Sequence, residues 1–210
     1  MNTLMKDREL EEEAYTFLKP YYEEGLDGII IQDLGLMTLL KECFPKLPLH
    51  GSTQMTITGT DMAKWLERQG FERIVLSREL SLDEIHNIRK QTDLELEVFV
   101  QGALCYCYSG QCLMSSFIGG RSGNRGRCAQ PCRLPYQVED ARQSDYILSP
   151  KDICTLNDIP NLVDAGADSF KIEGRMKSAL YVATVARTYR MAIDDYYEDP
   201  EKYKNRLDFY

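Results

Sequence analysis

At 210 residues the chain is long enough to be one domain, or part of one, with a core of its own. Its 33 acidic side chains outweigh 25 basic ones for a net charge of −8, which excludes general electrostatic attraction to nucleic acid or anionic lipid. No run of about 18 apolar residues occurs, so no membrane-spanning helix is expected, and the opening MNTLMKDRELEEE lacks the apolar core of a secretory signal. A reducing, cytoplasmic setting is the expectation, where cysteines more often bind metals or react than form disulfides.

Helical spacing of Leu10, Ala14, Phe17, Leu18 and Tyr21 predicts a helix over 7–24, kinked or shortened by Pro20 and ended by Gly25. A strand follows near 26–31, then a helix over 35–43 stopped by Pro45 and Pro48. A second strand lies near 47–52, with His50, Ser52 and Gln54 at its end. A helix over 61–69 closes on Gly70, and strand 73–77 delivers Arg78 and Glu79. Ser81 and Glu84 form a capping box for the helix that runs to about 91. Strand 94–100 is followed by a long cysteine-rich stretch, strands at 146–149 and 169–173 around a helix at 160–165, and a helix over 178–197. Cys43 and Cys154 read as core residues and His86 as a surface group.

Strands alternating with helices predict an α/β fold with a parallel sheet, and polar residues at successive strand ends favour a TIM-type (β/α) barrel. Six strand candidates fall short of eight, and the chain opens on a helix. The expectation is therefore an N-terminally incomplete barrel over 1–198, with a Cys-rich loop insertion at 102–136 and a frayed tail or linker over 199–210. Its open sheet edges invite association with another chain.

Residues 102–133 hold five of the seven cysteines and four arginines, and no acidic residue lies between Glu97 and Glu139. Such a stretch in an acidic chain suits a metal or cluster beside an anionic substrate. Cys105, Cys112, Cys128 and Cys132 are spaced C-x6-C-x15-C-x3-C. Four thiolates can hold a [4Fe–4S] cube, whose sulfurs glycine-flanked amides can approach. Zinc is the rival, although its knuckles come as paired short spacings and only one pair here is short. Cys107 is an extra thiol.

Glu97-x-Phe99-x-x-Gly102-Ala103-Leu104-Cys105, followed by Gly110-x-Cys112-x-Met114-Ser115, resembles the signature of the peptidase U32 family. HGSTQMTIT, LSREL, GGRSGNRGRCAQPCRLPY, LSPKD and KIEGRMKS match further family segments in order. The resemblance implies Cys105, Cys112, Cys128 and Cys132 as cluster ligands. It also implies oxygen-independent hydroxylation of a pyrimidine in tRNA or rRNA, with prephenate as hydroxyl source. The family's peptidase name implies a collagenase-like protease instead, and a non-catalytic scaffold is a third reading.

His50, Arg78, Glu79, Lys171, Glu173 and Arg175 are the strand-end candidates for catalysis. Arginine forks and Lys171 suit the carboxylates of a small organic acid, and Glu79 or Glu173 an acid–base role. Mutual ion pairing that sets strand register is the structural alternative. Arg121, Arg125 and Arg127 are candidates for RNA phosphate contact, against loop folding and charge balance. Proteolysis lacks HExxH and GxSxG, and Cys107 with His50 is the one dyad imaginable.

Overall fold

The computed structural model describes residues 2–138 and 145–210. Four short apolar runs pair in parallel and in chain order: β1 (Ile29–Ile31), β2 (Leu49–Gly51), β3 (Phe71–Val75) and β4 (Glu95–Gly102). β5 (Ile153–Cys154) runs antiparallel to β4, and β6 (Ser169–Ile172) returns parallel to it. Gln101 pairs with both Cys154 and Ile172, so β5 and β6 take opposite edges of β4. β5 therefore extends the β3 edge beyond its last pair, Val75 with Glu97. The five parallel strands point their C-terminal ends the same way, so the segments after β2, β3, β4 and β6 converge on one rim.

Helices α2 (Leu34–Cys43), α3 (Thr60–Arg68), α4 (Leu82–Arg89), α6 (Ile159–Asp164) and α7 (Ala179–Glu198) share one buried core with the sheet. Leu36, Leu40, Leu66, Ile88 and Ile159 meet Ile31, Ile74, Leu96 and Val100 there, all essentially without solvent contact. Each such side chain contributes roughly 1.5–3 kcal/mol of transfer free energy. Caps agree with the sequence: the Ser81–Glu84 box is formed in both directions, and Gly70 and Gly166 take the left-handed conformation after their helices. Among the described residues no helix is long and apolar enough to cross a membrane.

The helix expected over 7–24 is present and unbroken from 7 to 23; Glu9–Ala14 within it is π-helical, and Pro20 lies inside α1 (Tyr15–Glu23) without ending it. Three expectations are corrected. Residues 146–149 form no strand; Tyr146 and Ile147 are exposed, and the place beside β4 belongs to Ile153–Cys154. Residues 199–210 are not frayed. Asp199 caps α8 (Pro200–Asn205), and Tyr203, 2% exposed, donates to the Leu156 carbonyl at 2.6 Å. Cys43 and Cys154 are exposed rather than buried, because the faces of α2 and β5 that carry them look outward. His86 is exposed on α4, as expected.

Candidate functional site

The segment between β4 and β5 is docked onto the rim by the loops after β2 and β3. Thr56 Oγ1 donates to the Ser109 carbonyl at 2.7 Å, and the Glu79 carboxylate accepts the Ser109 amide. Gly110 lies flat on the backbone of Gln54: it has φ +77°, and a Cβ there would sit 2.2 Å from the Gln54 carbonyl oxygen. Gly102, at φ +117°, is equally constrained, because its Cβ would meet the Glu173 Cβ at 2.5 Å. Gln32, buried at the end of β1, donates to Gln54 Oε1 at 2.6 Å and to the Asn124 carbonyl at 2.9 Å. Arg133 closes the other side, bonding the Ser149 hydroxyl at 2.7 Å and the Leu104 carbonyl at 2.7 Å. The short helix α5 (Met114–Gly119) lies between these anchors.

Docked in this way, the segment encloses a cavity of about 740 Å³ together with the residues that follow β6. Cys105, Cys112, Cys128 and Cys132 all line it, and so does Cys107. Burial pushes the Cys105 thiol up; Arg78 opposes that shift, and the Cys112, Cys128 and Cys132 thiols add to it. The thiols stand around a cavity rather than about one point. Among the described residues no three His, Cys, Asp or Glu side chains are close enough to hold a single metal ion.

Arg78 is the charged centre of the wall. Its side chain, 12% exposed, pairs with Glu173 at 3.2 Å and reaches Cys105 Sγ at 3.8 Å. Its guanidinium lies 3.8 Å over the Phe99 ring, a desolvated cation–π contact. Its Nε is buried with no hydrogen-bond partner among the described residues. Glu173 and Arg175 line the same cavity, so the structure brings these three strand-end candidates together with the four cysteines.

Lys171 belongs instead to a polar group around Glu97, and His50 does not line the cavity either. Glu97, 7% exposed, receives Lys171 Nζ at 2.5 Å, Ser169 Oγ at 2.9 Å and Arg73 at 3.3 Å. Burial alone would raise the Glu97 pKa, but Lys171, Ser169 and Arg73 outweigh it and hold the carboxyl below its usual range. The half-buried His50 is shifted down by its burial and then by Arg73. Glu79 holds the loop. Of the loop arginines, Arg125 is engaged by Glu9 and the Leu4 carbonyl, Arg121 Nε bonds the Arg127 carbonyl at 3.0 Å, and Arg127 is exposed. Neither His50 nor His86 lines the cavity. Sequence reasoning overlooked Glu97 and Phe99 as working residues, although both stand in the motif it used.

Residues 1–209 match the family model described as peptidase family U32. The chain belongs to peptidase family U32. Among its U32-related sequences, the 23S rRNA 5-hydroxycytidine C2501 synthase of Escherichia coli is 43% identical over 95% of this chain and 31% of that protein. The tRNA hydroxylation protein P1 of Bacillus subtilis is 37% identical over 89% of this chain and 47% of its own length. An uncharacterized protease of Methanocaldococcus jannaschii is 39% identical over 98% of this chain and 54% of its own length. The chain thus spans about a third to a half of these curated relatives.

Proposed function

We propose that this U32 chain is part of an incomplete TIM-type barrel that carries a [4Fe–4S] cluster and serves the oxygen-independent hydroxylation of a pyrimidine in cytoplasmic tRNA or rRNA. The observation that supports the reading is that Cys105, Cys112, Cys128 and Cys132 all line one cavity, with Arg78 against Cys105. The donor set fits the group. Four thiolates are the ordinary ligands of a cube, and the cavity gives more room than one zinc ion needs. A cluster of charge 2+ with four thiolates is a net dianion, which suits a wall whose buried Arg78 keeps an unpartnered N–H. Cys105, Cys112, Cys128 and Cys132 would hold the cluster, and when bound it supplies electron transfer beside the substrate.

The chain's own residues do the rest. Arg78 offers its guanidinium group to a small organic acid such as prephenate, the hydroxyl source that the family resemblance implies. Glu173, tied to Arg78, is placed to hold or release a proton at its carboxylate. Glu79 keeps the loop seated. The names of the bacterial relatives, a 23S rRNA 5-hydroxycytidine synthase and a tRNA hydroxylation protein, support RNA as the target. The Methanocaldococcus jannaschii relative is named a protease, but the cavity thiols have no histidine beside them to act as base. RNA from a strain lacking the gene tests the proposal by mass spectrometry. A hydroxylated pyrimidine should vanish, return with the full-length gene, and stay absent with Cys112→Ala. A modification pattern unchanged by the deletion would refute it.

A further inference from the structure

The mouth of the cysteine cavity carries a combination that its interior chemistry does not use. Tyr106 lines the cavity yet is 61% exposed, and its ring and hydroxyl have no partner among the described residues. Met176, 83% exposed, lines it on the β6 side. Arg175 lines it as well. The other cations of the lining are committed: Arg78 to Glu173, Arg133 to Ser149 and Leu104, and Lys177 to Asp152 at 3.9 Å. Arg175 is exposed and is the one lining cation without a partner among the described residues.

An unpartnered aromatic face and an unpartnered guanidinium at one opening are the elements of single-strand recognition, in which a base stacks and a phosphate is neutralised. We infer that the cavity mouth takes one unpaired nucleotide of the RNA, its base stacked on Tyr106 with Met176 as the opposing apolar wall, and its flanking phosphate held by Arg175. This inference rests on the RNA reading above. A cavity of about 740 Å³ has room for a splayed-out base, and an enzyme that works on a base in a duplex must take it out of its stack. Charge complementarity is local: the lining holds four cations, Arg78, Arg133, Arg175 and Lys177, against two acids, Asp152 and Glu173.

The test is equilibrium binding of the 210-residue chain to fluorescein-labelled oligouridine and to the same strand paired with oligoadenine, across a salt series. The single strand should bind more tightly than the duplex. Tyr106→Ala should weaken that binding by about 10-fold or more, whereas Tyr106→Phe, which keeps the ring, should stay near the native value. Arg175→Gln should reduce the slope of log affinity against log salt by about 0.7, the single-strand value for one phosphate contact. Equal affinity for strand and duplex, or Tyr106→Ala binding like the native chain with an unchanged melt, overturns the inference and leaves the RNA reading standing. Absence of any RNA binding, or displacement of oligouridine by gelatin, overturns both.

Discussion

Among the contacts that dock the cysteine segment, the approach of Gly110 to the Gln54 backbone is the tightest, and Gly110→Ala is the change that breaks it. Alanine at φ +77° pays about 1–2 kcal/mol for the left-handed conformation. Its Cβ would also sit 2.2 Å from the Gln54 carbonyl oxygen, over 1 Å inside ordinary contact, so one backbone must move. Gln54 has little freedom to yield, since its amide is held by Ser52 Oγ at 3.0 Å and its side chain by Gln32. Overpacking of this kind costs about 1–3 kcal/mol, for a total of roughly 2–5 kcal/mol. The sheet does not depend on this contact, so the cost should appear as local opening of the segment. The Ser109 amide, held by Glu79, is the reporter. Its hydrogen exchange should speed up by about 30-fold or more, while amides of β3 and β4 keep their protection. Gly119→Ala is the control, because nothing lies within 4 Å of a Cβ there and exchange should stay native. Native protection of Ser109 in Gly110→Ala would refute the reasoning.

Three further outcomes follow from the same contacts. Glu97 is held below its ordinary 4.5 and Glu9 is lowered to about 2, so both stabilise the fold above the unfolded carboxylate range. That stability should fall away as pH drops below about 4.5 toward the folded values, and a thermal midpoint constant between pH 6 and 3 would contradict it. Arg78→Leu leaves Glu173 unpaired and should cost about 1–3 kcal/mol in chemical denaturation, with wild-type stability as the refuting result. Tyr203→Ala removes a fully buried ring and its bond to Leu156, and should cost about 3–5 kcal/mol; a neutral effect would return residues 199–210 to the status of a tail.

Much of the architecture is legible in the sequence because its local signals agree. The apolar runs of β1, β2 and β3 sit between capped helices, and Ser81 with Glu84, Gly70 and Gly166 mark their boundaries by chemistry that depends on neighbours in the chain. What fails depends on distant partners. The run at 146–149 looks as much like a strand as Ile153–Cys154, and only the free edge of β4 above Val75 decides between them. Tyr203 needs α7 and the Leu156 carbonyl before 200–205 is worth folding. At the site, the cysteine spacing shows which residues to consider, whereas the split of the strand-end charges into two groups does not show. Lys171 goes to Glu97 and Arg78 to Glu173, each pairing made between strands or strand ends far apart in the chain. Arg125 reads as free for phosphate until Glu9, 116 residues away, is seen beside it.

Metal analysis of the anaerobically purified chain tests the central claim most directly, with Cys112→Ala and Cys107→Ala alongside. The account predicts about four irons and about four sulfides per chain, lost in Cys112→Ala and retained in Cys107→Ala. Stoichiometric zinc without iron, or iron content indifferent to Cys112→Ala, would contradict it.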